Sequence, residues 1–209
     1  MYEIDLNFIN LSDSGNTTEI VMYQRNYAST FTSITEVAWK VIKYCGYGNH
    51  HPFTYSLDIE ISVRDSYGNI TQKRTAQPGQ LYVIKETALG KRFYLQGAST
   101  STKEIQVINN FTKGAIDVLA YRGDKLLALK KGVAPAQKAI FEFKPTLFIN
   151  VASDIQEGSM LNSAVISKEN TEIPLTGIES ADIVMTGGGT GDNAQPYQFE
   201  LMNIVASQN

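Results

Sequence analysis

The sequence has few of the residues that bind metals or form disulfides. Among its 209 residues there are one cysteine, Cys45, and two histidines, the adjacent His50 and His51. A single cysteine excludes an internal disulfide and a thiolate metal cluster. Neighbouring residues on a strand point to opposite faces, so the two histidines are not expected to chelate one ion together. We therefore expect no metal site and no cofactor.

Charge and long apolar runs are also scarce. Charged residues make up 19% of the chain, the net charge is −3, and no basic cluster stands out, which argues against nucleic acid as a partner. No apolar run approaches the roughly 18 residues of a membrane-spanning helix. The opening MYEIDLNFIN lacks the basic and apolar regions of a signal peptide. We expect a cytoplasmic location by default, with leaderless release as the alternative.

What the sequence does contain is strand patterning. Residues 2–10, 57–63 and 137–143 alternate between apolar and polar side chains, which is typical of half-buried strands. Turn signals such as Tyr67-Gly68-Asn69 and Arg122-Gly123-Asp124 recur at short spacing. Roughly 12–15 strands are predicted, more than the ~7 of one small sandwich. The sequence predicts an all-β protein with little helix, either one large antiparallel β-sandwich or two packed β-sandwiches.

One segment, residues 32–44, is ambiguous. Ser33 and Glu36 have the spacing of a helix capping box. Val37, Trp39 and Val41 instead alternate as in a strand. We favour a strand, and the helix remains the alternative.

Two stretches of the chain echo one another. Residues 9–25 and 109–122 share the order Asn, apolar residue, hydroxyl residue or turn, apolar strand, Tyr. An aromatic strand follows each of them, around Phe53 in the first case and around Phe141 in the second. This predicts two related β-sandwich halves, 1–100 and 101–209. The alternative is a single compact domain, because hairpins in any sandwich look alike.

A glycine-rich turn, Thr186–Asp192, follows the apolar strand 182–185. Glycine-rich turns can cradle phosphates through backbone N–H groups, and GGGTG resembles the phosphate loop of tubulin-type GTPases. No helix pattern and no Walker lysine follow it. Its residues Gly187, Gly188, Gly189 and Asp192 are therefore predicted to form a close-packed loop or an intersubunit contact.

The second unusual segment is an aromatic loop over residues 44–55. Its candidate ligand-binding residues are Tyr44, Tyr47, His50, His51, Phe53 and Tyr55. Aromatic faces can stack on sugars, so the loop predicts a glycan or lipid-head-group site, or else it simply packs. Cys45 and His50 could be written as a nucleophile and base, but no third orienting group is identifiable. We expect no catalytic residues and no enzymatic activity.

The first part of the chain resembles a known family. Over residues 2–39 an alternating strand leads through Ile9–Ser12 to Val21–Gln24 and then to Val37–Trp39. This order is similar to the start of the rhizosphere-expressed RhiA-type proteins of bacteria. The resemblance implies a bacterial source and no particular chemistry.

These observations favour a non-enzymatic structural β-sandwich protein that associates with itself in a homo-oligomer, filament or inclusion. Low charge and many strand edges favour association, because unpaired edges are templates for pairing. The alternative is a lectin-like or membrane-active module that binds glycans or lipid head groups through the aromatic loop.

Overall fold

The computed structural model describes residues 3–14, 18–28, 34–162, 165–166 and 170–207. The chain is all-β, as predicted, and its helical structure in this part includes a short 3₁₀ turn at Gly191–Asn193. The strands are β1 Glu3–Asn10, β2 Glu19–Tyr23, β3 Thr35–Glu36, β4 Lys40–Ile42, β5 His50–Ser56, β6 Ile59–Asp65, β7 Arg74–Ala76, β8 Gln80–Thr87, β9 Gly90–Ala98, β10 Ile105–Asn109, β11 Ile116–Arg122, β12 Lys125–Val133, β13 Lys138–Phe141, β14 Thr146–Ala152, β15 Thr171–Pro174, β16 Ile178–Gly188 and β17 Gln195–Ala206.

The strands form two compact units that interleave along the chain. The first unit comprises residues 1–24, 37–57 and 145–209, and the second comprises 25–36 and 58–144. These boundaries differ from the predicted halves 1–100 and 101–209.

The first unit is built from two four-stranded sheets. Their strand orders are β17-β16-β1-β5 and β15-β14-β2-β4. The alternation predicted for β1 is confirmed, since Ile4, Leu6 and Phe8 are buried; Tyr2 lies outside the described residues. Gln24, just after β2, donates a 2.7 Å hydrogen bond from Nε2 to the hydroxyl of Tyr55 on β5, which ties the two sheets together. This unit is sandwich-like.

The second unit repeats this design with one additional strand. Its sheets have the orders β13-β10-β8-β9 and β3-β12-β11-β6-β7. Ile59, Ile61 and Val63 of β6 are buried as their alternation predicts, whereas Leu57 precedes the strand and is exposed. The hydroxyl of Tyr82 on β8 donates a 2.8 Å bond to the carbonyl of Thr75 on β7, again joining two sheets.

The chain runs through the same order of strands twice. In the first unit, β1, β2, β4 and β5 pair among themselves and with β14–β17. In the second unit, β10–β13 pair in the equivalent way among themselves and with β6–β9. Apart from the short β3, which joins the second unit, each unit therefore takes the first four strands of one half and the last four strands of the other half. The predicted boundary near residue 100 separates the two copies of this strand order, but neither half forms a unit by itself.

One asparagine in each half marks the equivalent position. The backbone N–H groups of Asn10 and Asn109 donate to the carbonyls of Asn49 and Gln137, each one residue before the next strand of its sheet. Gly48 and Ala136 donate back to the two asparagine carbonyls, and both adopt positive φ, 76° and 62°. The two loops therefore have the same backbone hydrogen-bonding pattern.

Two strand pairs in the described residues run parallel, in addition to the antiparallel pairing that was predicted. β1 pairs parallel with β16, and β10 pairs parallel with β8. Each parallel pair joins strands from different halves. Such a pair needs no hairpin, so the turn signals of the sequence could not reveal it.

Segment 32–44 contains strands in its described part. Thr35–Glu36 forms β3, Lys40–Ile42 forms β4, and Val37 makes an isolated bridge to Met160. The favoured strand prediction is confirmed there. The predicted helix cap at Ser33 lies outside the described residues.

A charged side chain organises the turn after β6. The Asp65 carboxylate accepts the N–H groups of Tyr67 and Asn69 and a 2.6 Å bond from Lys91 Nζ. The bond from Lys91, followed by those from Asn69, holds the pKa of the Asp65 carboxyl well below its usual range.

This turn should make the fold sensitive to acid. A depressed folded-state pKa stabilises the protein above the unfolded pKa of about 3.9, and the stabilisation is lost as the pH falls through the folded-state value. We expect Asp65→Asn to lower the melting temperature at pH 7 and to flatten its fall below pH 4, as measured by circular dichroism. Lys91→Gln should reproduce part of this change. An unchanged acid profile in Asp65→Asn would contradict the assignment.

Candidate functional site

The structure brings the two unusual loops of the sequence together in the first unit. A groove of about 870 Å³ lies between the aromatic loop and the glycine-rich turn. We call it the Tyr47 groove; it is lined by Leu11, Ser12, Asp13, Tyr47, Gly187, Gly188, Gly189, Thr190, Asn193 and Gln195. The sequence indicated Tyr47 and the glycines separately, and it gave no sign that they were neighbours.

The glycines of the groove serve close backbone packing. A Cβ on Gly187 would lie 2.1 Å from the carbonyl oxygen of Pro196, and one on Gly188 would lie 2.8 Å from that of Asp13. Both positions also have φ of +84°, which favours glycine. The N–H of Gly189 donates to Asp13, so it is already used by the backbone. The turn is thus close-packed, and this N–H is not turned outward toward a phosphate.

Asp192 lies beside the groove and does not line it. It sits in the 3₁₀ turn Gly191–Asn193 and is exposed. Within the described ranges, no group of three or more His, Cys, Asp or Glu residues is placed to hold a metal ion.

The aromatic loop divides into exposed and packed residues. Tyr44 and Tyr47 are 81% and 75% exposed. Phe53 is half-buried, with its ring steeply inclined to that of Trp39 at 6.2 Å between centroids and with Lys40 Nζ 4.9 Å from its centroid. Tyr55 is fully buried, and its hydroxyl accepts the bond from Gln24. The predicted ligand-binding set is therefore spread over surface and core, and Tyr47 alone of these six residues lines the groove.

The histidines and the cysteine of this loop are separated by their surroundings. His50 is exposed on β5, where its Nδ1 lies 3.2 Å from Asn7 Nδ2, and His51 is half-buried. Cys45 is buried, and burial raises the pKa of its thiol. A raised pKa disfavours the thiolate that a nucleophile needs.

A second candidate feature, the open edge of β17, was not among the sequence-based predictions. β17 is 12 residues long and pairs with β16 on one side. No strand in the described part of the chain pairs with its other side. The sequence of β17 is long and has a single charged residue, Glu200, which is consistent with an unprotected strand. The sequence does not show that this strand is at an edge, because that depends on the strand order.

Comparison with known proteins does not place the chain. No family model matches it, and neither does any curated protein or solved structure. The RhiA-type resemblance of residues 2–39 therefore stays a prediction.

In the described ranges, no helix has the length and apolar character needed to cross a bilayer.

Proposed function

We propose that this protein is a non-enzymatic structural subunit that associates with itself by pairing β17 with β17 of a second copy. The observation that carries the proposal is the open β17 edge. Met202 and Ile204 on it are 43% and 53% exposed, and Glu200 is its one charged residue. Exposed edges of this kind are templates for strand addition.

The other sheet edges in the described residues are short or blocked. β3, β4, β7, β13 and β15 have two to four residues each. β5 carries Pro52 in its middle, and a proline lacks the N–H that pairing with a further strand would use. β9, which occupies the position of β17 in the second unit, carries Lys91 and Arg92. Lysine and proline on edges are common protections against association.

A second copy is the partner that best fits this edge. Antiparallel pairing of β17 with itself about a two-fold axis is isologous and closes into a dimer. It would join two four-stranded sheets into one continuous sheet. A register shift at Pro196 and a bulge at Asn203, whose φ is 50°, bound the longest regular stretch available for pairing, Gln198–Met202.

Light scattering over a concentration series tests this proposal. We expect the wild type to reach the mass of a dimer, twice 23.1 kDa. Met202→Lys with Ile204→Lys should raise the dissociation constant by about tenfold or more, because lysines on an edge strand disfavour the addition of another strand.

The equivalent strand provides the control. Leu95→Lys on β9 replaces a residue that is 46% exposed on an edge already protected by charge. It should leave the dimer unchanged. A wild type that scatters as a monomer at every concentration, or equal weakening by the Leu95 variant, would refute the β17 interface.

A further inference from the structure

We infer that the Tyr47 groove binds a neutral carbohydrate. This goes beyond self-association and is carried by different residues. The groove combines the exposed ring of Tyr47 with the side chains of Asp13, Thr190, Asn193 and Gln195. Its walls are short backbone segments that the fold holds in place.

Both walls are tied to the same stretch of backbone. On one side, Asp13 N–H donates to Gly187 and Gly189 N–H donates to Asp13, which extends the parallel pairing of β1 and β16. On the other side, Asn10 Nδ2 donates a 2.6 Å bond to the carbonyl of Cys45, and Gly48 N–H donates to the Asn10 carbonyl. Because the groove is preformed, its residues would lose little conformational entropy when a ligand binds.

The chemistry of the lining suits a sugar. A sugar ring has an apolar C–H face that can lie on an aromatic ring, and hydroxyl groups that both donate and accept hydrogen bonds. Tyr47 supplies the ring face at the surface. Asp13 supplies an acceptor, Thr190 a hydroxyl, and Asn193 and Gln195 supply amides that do both.

Charge selects among sugars. Asp13 is the one Asp or Glu in the lining, and no lysine, arginine or histidine is among the lining residues that the structure describes. A carboxylate without a neighbouring cation disfavours sialylated, sulfated or phosphorylated ligands. The expected ligand is therefore a neutral glycan.

The second unit shows that the fold does not require these features. Its equivalent loop, between Val133 and Gln137, keeps the same backbone hydrogen bonds but has Pro135 at the position of Tyr47. Between β8 and β9 a tight turn, Thr87–Gly90, replaces the longer glycine-rich turn. Tyr47 and the long turn are thus additions to a scaffold that forms without them, which favours a role in binding.

Binding to a printed panel of oligosaccharides tests the inference. The panel should contain neutral gluco-, manno-, galacto- and N-acetylhexosamine oligomers together with sialylated and sulfated ones. We expect the wild type to bind a neutral oligomer, and Tyr47→Ala to weaken that binding about tenfold or more through loss of the stacking surface. Asp13→Asn should also weaken it. Circular dichroism should confirm that each variant is folded.

Tyr44→Ala is the matched control, because Tyr44 is equally exposed on the same loop and does not line the groove. It should bind as the wild type does. The Met202→Lys, Ile204→Lys variant should also keep its glycan binding, which separates this inference from the proposed self-association.

Three outcomes would overturn the inference. They are no binding to any neutral oligomer, binding that Tyr47→Ala leaves unchanged, and preferential binding of the acidic oligomers. Binding of the same proteins to phosphatidylcholine vesicles is measured in parallel. Tyr47-dependent binding to vesicles without glycan binding would assign the groove to a lipid head group instead.

Discussion

Cutting the chain between its two halves is expected to leave the pieces bound to each other. The connection between β9 and β10 contains the exposed neighbours Thr102 and Lys103, where a protease site can be inserted. After complete cleavage, the protein should elute from size-exclusion chromatography at the position of the uncut chain. The same sample in guanidinium chloride should separate into two fragments, which is the control for cleavage.

The physical reason is the exchange of strands between the halves. The first unit takes four strands from each half, and the second takes four from the second half and five, including the short β3, from the first; in each unit the two sets meet through a parallel pair, β1 with β16 or β10 with β8. Separation would expose both cores at once. Buried apolar surface contributes about 25 cal/mol per Å², so separation would cost free energy in proportion to the apolar area that it uncovers in both cores.

The two halves produced alone provide the second part of this test. We expect neither half to be monomeric and folded, because each carries half of two different sandwiches. Mixed during refolding, they should recover the circular dichroism spectrum of the uncut chain. Fragments that part after cleavage in native buffer, or a single half that folds as a monomer, would contradict the strand exchange.

The individual strands could be predicted from the sequence, and their partners could not. Alternation is a local property, so Ile4, Leu6 and Phe8 reveal a half-buried strand without reference to the rest of the chain. The partner of that strand, β16, lies far along the sequence and carries no complementary signal. The repeated pattern indicated two halves, but it would look the same whether each half paired with itself or with the other.

The candidate site was predictable to a similar degree. Glycine runs and exposed tyrosines are conspicuous, so Gly187 and Tyr47 were singled out. Ser12 and Asp13 were not, because short polar residues near glycine look like ordinary turn residues. Their importance depends on a groove that forms only when the parallel pairing of β1 and β16 brings distant loops together.

The buried asparagines Asn10 and Asn109 should be among the most sensitive polar residues of the protein. Asn10 is 1% exposed and Asn109 is 0% exposed. Each side-chain amide donates to a main-chain carbonyl a few residues before the next strand of its sheet, that of Cys45 or that of Val133. Each side-chain oxygen also accepts the N–H two residues ahead. Alanine at either position would leave these backbone groups buried and unpaired.

We expect Asn10→Ala and Asn109→Ala each to lower the free energy of unfolding by about 2–4 kcal/mol, since an unsatisfied buried group costs about 1–3 kcal/mol. Urea denaturation followed by circular dichroism measures the loss. Asn110→Ala, at the exposed neighbour of Asn109, should stay within about 0.5 kcal/mol of the wild type. Because the two asparagines occupy the same place in the repeated strand order, similar losses are expected from both. A large loss at one position and none at the other would show that the second loop is held by different contacts, despite its matching backbone hydrogen bonds.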